Sequence, residues 1–175
     1  MKKKNLPKPL SPKTIVINVM VVFAAIVGLA FIFTWGQKPE PAVLSYTSQD
    51  SDRPKAEVPE TFFDLGEIAV SDVKQQDYSL KNTGTKPLQI LNVNTSCGCT
   101  AGQIIYNGTT SKEYSMHSQG GGYVTDIAPG DTATVRLIYR PAVMPVLGLV
   151  EREVYVSTND PDHEKLVFSI KVKVQ

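Results

Sequence analysis

Two patterns of apolar residues divide the chain. From Thr14 to Trp35, TIVINVMVVFAAIVGLAFIFTW, no charged residue occurs, and apolar positions fill every side of a helix instead of one stripe. At 1.5 Å per residue such a helix is about 33 Å long, enough to cross a bilayer's hydrocarbon core. From Val58 onward the period drops to two. In KLVFSIKVKV, residues Leu166, Phe168, Ile170, Val172 and Val174 share one face while Lys171 and Lys173 take the other. TATVRLIY aligns Ala133, Val135, Leu137 and Tyr139, and REVYVST aligns Val154 and Val156. Such alternation predicts half-buried strands. DYSLKN and PLQILNV add further short segments, and NTGTKP, APGD and TNDPD between them supply Asn, Gly, Asp and Pro for chain reversals. Between the two patterns, Gly36–Glu60 holds prolines 39, 41, 54 and 59 and follows neither period.

The expected fold class is therefore all-β, an immunoglobulin-like β-sandwich of about seven strands preceded by one N-terminal transmembrane α-helix. The expected organisation is a lysine-rich tail over 1–13, the transmembrane helix over 14–35, a flexible Pro-containing linker over 36–57 and the extracytoplasmic domain over 58–175. Charge sets the expected orientation. Lys2, Lys3, Lys4, Lys8 and Lys13 precede the apolar run, which by the positive-inside rule places the N-terminus in the cytoplasm and the C-terminal domain outside the cell membrane. A cleaved signal peptide is the rival reading. Its apolar region is shorter and ends at small residues, whereas this run closes on FIFTWGQKP, so a single-pass anchor is expected. From Val58 on, ten Lys and Arg face thirteen Asp and Glu, a balance of −3 that offers no basic surface for nucleic acid. The expected partners are the membrane itself and an envelope protein, a cell-surface polymer or a second copy.

The ordered pieces FDLGEI, YSLKNTGTKPLQILNVNTSCGCT, IAPGDTATVRLIYRP and VSTNDPD resemble a bacterial family of unknown function marked by an SCGCT signature. That family is similar to the immunoglobulin-like domains related to hydin and major sperm protein. The resemblance runs from about Phe62 to Val174 and implies the sandwich fold, with no activity attached. Its departure from the compact form is a long insertion between Thr100 and Pro129, expected to be a loop.

Cys97 and Cys99, in SCGCT, are the chain's two cysteines. Outside the cytoplasm such a pair can persist as a disulfide. In a flat strand, residues two apart lie roughly 6.5–7 Å between Cα atoms, the outer limit for that bond, although Gly98 frees the backbone to bend. Three readings stand. The pair can be buried structural thiols. It can cycle between dithiol and disulfide. Or, with Met116 and His117 from the insertion, it can bind copper(I), for which thiolate, thioether and imidazole are fitting ligands. Asp160, Asp162 and His163 read as a Pro-containing turn, and Gly120–Gly122 as loop, with no strand-to-helix context for phosphate binding. Asn94 and Asn107 head glycosylation-like triplets taken as accidental. No nucleophile motif frames any Ser, His or acid, so the expectation is a binding or scaffolding module and not an enzyme.

Overall fold

The computed structural model describes residues 11–34, 41–117 and 122–175. Helix α1 spans Pro12–Thr34. Ser11 caps it, its hydroxyl oxygen accepting from the Thr14 amide at 3.3 Å, and Pro12 occupies the first turn, where its missing N–H costs nothing. Pro12–Phe33 is long and apolar enough to cross a membrane, and none of its most apolar window is buried against protein. Trp35 and residues 1–10 and 36–40 lie outside the described residues.

A second compact unit runs from Pro41 to Gln175. Its strands are β1 (Ala56–Glu57), β2 (Phe62–Ile68), β3 (Lys74–Asn82), β4 (Leu88–Thr95), β5 (Thr100–Tyr106), β6 (Thr109–Thr110), β7 (Thr125–Ile127), β8 (Thr132–Tyr139), β9 (Gly148–Thr158) and β10 (Lys165–Val174). One sheet has the order β1-β3-β8-β5-β6 and the other β2-β10-β9-β4-β7. All pairings are antiparallel except β2 with β10. The segments read from alternation fall in β3, β4, β8, β9 and β10, and with β2 and β5 they make seven long strands, although β5 lies where a loop was expected; β1, β6 and β7 are two or three residues each.

The core lies between the sheets. Every residue assigned to the inner face of β10, Leu166 through Val174, is buried, as are Ala133, Val135, Leu137 and Tyr139 of β8 and Val154 and Val156 of β9. Each large apolar side chain enclosed in this way stabilises the fold by roughly 1.5–3 kcal/mol relative to exposure. Tyr78 bridges the layers: its ring lies 5.1 Å from Phe168 and 5.7 Å from Phe63, and its hydroxyl donates to the Ser169 carbonyl at 2.6 Å.

Two expectations are corrected. Residues 41–57 are not a free linker: the Leu44 amide donates to Gln89 Oε1 at 2.7 Å, Arg53 reaches Asp160 and Asp162, and Ala56 pairs with Asn82. The segment docks because Asp160, 1 % exposed, needs donors. It finds them in the Ala56 amide (2.9 Å), Arg53 Nη1 (3.3 Å), the Asp162 amide (3.1 Å) and His163 Nδ1 (2.9 Å). Nor is the insertion a plain loop. It opens with β5, which pairs with β8 on one side, turns at Asn107–Gly108 into β6, and bridges back through Tyr114 to Gly102.

Candidate functional site

Beyond Thr95 the chain leaves β4, and Cys97–Thr100 form a turn closed by the Thr100 amide donating to the Cys97 carbonyl at 3.2 Å. The turn draws the two cysteine Cα atoms to 5.3 Å, and the sulfurs are joined as a disulfide. A flat strand holds such a pair at the outer limit; the turn brings it well inside. Thr95 fixes the turn from within, its hydroxyl within hydrogen-bond distance of the Cys97 and Thr100 carbonyls at 3.0 and 3.1 Å. Closing so short a ring restrains the unfolded chain by only about 1.6 kcal/mol in chain-entropy terms, against about 3 for a 15-residue loop. As a staple the bond does little.

The two sulfurs have different surroundings. Cys97 is half-buried, with its Sγ 3.3 Å from Thr100 Oγ1. Cys99 is 2 % exposed, and Arg152 Nε donates to its Sγ at 3.2 Å. Arg152 comes from β9, in the row that carries the buried Val150 and Val154, and its guanidinium lies 5.5 Å from the centre of the Tyr139 ring. Among the described residues no carboxylate stands within ion-pair distance of Arg152. The Tyr139 hydroxyl at this end of the sandwich is also buried without a hydrogen-bond partner.

The insertion brings one of its two candidate ligands, His117, beside the turn. A β-carbon on Gly98 would stand 3.5 Å from His117 Cδ2, 3.6 Å from His117 Nε2 and 3.9 Å from Met144 Sδ. The thioether beside the turn is therefore that of Met144; Met116 is exposed. The four residues considered for copper(I) thus divide: Cys97 and Cys99 are bonded to each other, His117 is adjacent, and Met116 points to solvent. Among the described residues no group of three or more His, Cys, Asp or Glu could hold a metal ion. Arg152 is the functional candidate missed in the sequence. Stepping back by two from Val156 and Val154 reaches it, so the alternation itself places an arginine on an inner face.

Beside the turn runs an exposed apolar strap. From the last residue of the short 3-10 turn Pro141–Val143 onward, the side chains of Val143, Met144, Val146, Leu147 and Leu149 are 46 to 70 % exposed. Polar residues flank it. Arg140 forms a bidentate pair with Glu113 at 2.8 and 2.9 Å, a hydrogen-bonded contact that raises the guanidinium pKa further. Exposed Glu151 follows Leu149, and Lys173 stands opposite Leu149 on β10.

Residues 56–113, from β1 to just past β6 and including the disulfide turn, match the family described as "Protein of unknown function (DUF1573)". No curated protein matches the chain. Among solved structures, a protein of unknown function from Porphyromonas gingivalis W83 is similar at 18% identity and TM-score 0.53, covering 70% of this chain and 48% of its own. A family 123 glycoside hydrolase from Clostridium perfringens is similar at 7% identity and TM-score 0.50, covering 69% of this chain and 27% of its own. The chain thus spans about half of the first and a quarter of the second, and both likenesses concern the fold alone. An ASH/PapD-like domain of human CEP192 aligns over 79% of this chain and 96% of its own at 13% identity and TM-score 0.43.

Proposed function

We propose that this is a single-pass, membrane-anchored module whose immunoglobulin-like domain lies outside the cytoplasm and binds a protein of the cell envelope without catalysing a reaction. The observation that carries the reading is the strap Val143–Leu149: five large apolar side chains exposed within seven residues, a denser run than the exposed Val43, Leu44, Phe62, Val73 and Val167 elsewhere on the domain. Exposed apolar clusters of this kind mark interaction sites. The surroundings favour a protein partner over lipid. Arg140, Glu113, Glu151 and Lys173 give the strap a rim of both signs, the anatomy of a protein interface, whereas entry into an acyl layer would strand those charges. The lysines before α1 and its uncharged span support the orientation.

Copper(I) is the weaker alternative, because the cation of Arg152 already sits against Cys99 and would repel a second one. The test uses the full chain in the membranes of the cell that makes it. A photo-crosslinking residue at Leu147 should yield a discrete protein adduct, one at the exposed Ser79 of β3 should not, and Leu149→Asp should remove the Leu147 adduct. The carbonate-washed membrane should retain the chain with its N-terminal lysines. Adducts to lipid alone, or equal adducts at both positions, would sink the binding reading; a soluble chain starting near Gly36 would sink the anchor.

A further inference from the structure

We infer that the Cys97–Cys99 bond is an exchangeable disulfide, in which Cys97 receives an external thiolate and Arg152 holds Cys99 as the departing thiolate. The inference stands apart from the apolar strap and rests on three observations. The first is the charge on Arg152. A guanidinium half-buried on the inner face of a sheet costs desolvation, and among the described residues it has no carboxylate: Nη1 donates to the Glu151 carbonyl at 2.8 Å and Nε to a neutral disulfide sulfur at 3.2 Å. Against a thiolate the same contact becomes a charge-assisted hydrogen bond. The arginine is thus complementary to the reduced state of the pair, not to the oxidised one. Stacking on Tyr139 holds it in place in both states.

The second observation is the asymmetry of access. Cys99 is enclosed, whereas Cys97 is half-buried, so an incoming sulfur can reach Cys97 and leave the electron pair on the atom that Arg152 faces. The third is the ring itself, whose shortness makes it a poor staple and leaves the bond without a structural purpose. The co-reactant is a dithiol, protein-borne or small. One of its thiolates attacks Cys97 Sγ; a sulfur–sulfur bond to Cys97 forms as the Cys97–Cys99 bond breaks, and the electron pair passes to Cys99. The second thiolate of the reagent then attacks its own sulfur in that mixed disulfide and displaces Cys97, which takes up a proton. Two electrons move in all: the reagent's two thiols give up two protons and leave as a disulfide, Cys97 takes up one proton, and the second either goes to Cys99 or stays in solvent with Cys99 held as thiolate.

The probe is dithiothreitol, applied to the full chain in detergent micelles at defined ratios of its reduced and oxidised forms. The reduced fraction is read by mass after acid quench and alkylation of the denatured chain. Arg152→Gln should need about a tenfold higher ratio for half-reduction, the scale of one hydrogen bond to a charged group, because it removes support from the reduced form only. Arg152→Lys, which keeps the charge, should fall between that variant and wild type. Val150→Ala thins the same inner row without touching a charge and should leave the midpoint in place. With excess reduced glutathione and a rapid acid quench, the mixed-disulfide intermediate of the wild-type chain should map by fragmentation mass to Cys97 and not to Cys99. An Arg152→Gln midpoint within about twofold of wild type, or a Val150→Ala shift as large as that of Arg152→Gln, would falsify the role of Arg152. A glutathione adduct that maps to Cys99 would overturn the assignment of the attacked sulfur.

Discussion

Gly102 stands where side chains of the opposite sheet leave no room for a β-carbon. A β-carbon there would lie 2.8 Å from Val154 Cγ1 and 2.9 Å from Val93 Cγ1, both from the opposite sheet. Real β-carbons do not tolerate such contacts, so Gly102→Ala has to push one valine off its rotamer or part the sheets. The expected cost is about 1–3 kcal/mol, read as a lower urea midpoint with an unchanged slope. The loss should be less than additive with Val93→Ala, which vacates one of the clashing methyls; strict additivity would mean that the crowding lies elsewhere. Single residues of this kind were only partly legible in the sequence. The inner faces of β8 and β10 could be read position by position, because burial alternates along all of β10 and along β8 as far as Leu137. Arg152 sits in the same period-two register, but an arginine among valines signals nothing until its partner, Cys99, is brought beside it from the turn after β4. Met144 likewise replaces Met116 beside Gly98 through a tertiary contact that no sequence spacing encodes.

At the scale of elements, the insertion is the clearest departure from the sequence reading. Strand β5 begins at Thr100 and its burial does not alternate: Thr100, Ala101 and Gly102 are consecutively buried, because β8 pairs on one side, Tyr114 bridges on the other and the opposite sheet covers a face. A strand enclosed in that way loses the period-two signature, and Gly102 within it reads as a break. A usable signal was present in YNGT. Asn107 and Gly108 both take positive φ, 49° and 74°, the conformation of a two-residue hairpin turn, and Asn-Gly is the favoured dipeptide for it. Gly108→Val should therefore strain the turn by about 1–2 kcal/mol, since a β-branched residue is poorly accommodated in the left-handed region. Faster amide exchange confined to Ile105, Tyr106, Thr109 and Thr110 would be the local mark of that strain. Unchanged protection there would show that the hairpin is held by Tyr114 and Ser111 instead, whose bonds to Gly102 and Ile104 fasten the same segment.

For the whole molecule, the fold class and the apolar helix were legible because each depends on a long periodic pattern, whereas the edge of the folded unit was not. Prolines and scattered polar residues between Gly36 and Glu60 resemble a linker in composition, yet Arg53 and Ala56 answer a single buried carboxylate on the far side of the sequence, at Asp160. That dependence predicts how the unit responds to trimming. A fragment from Pro41 to Gln175 keeps the Arg53 guanidinium and the Ala56 amide; a fragment from Val58 to Gln175 removes both and leaves Asp160 to Asp162 and His163 alone. Removing one partner of a buried ion pair strands the other, so the shorter fragment should be less stable by about 3 kcal/mol while remaining all-β by circular dichroism. The cause can be isolated by repeating the pair with Asp160→Asn. An uncharged amide has no charge to strand, and the gap between the two lengths should shrink to about 1 kcal/mol, the scale of the neutral hydrogen bonds that remain. A gap that persists undiminished would place the stabilisation in the packing of residues 41–57 on the sandwich and not in the Asp160 network.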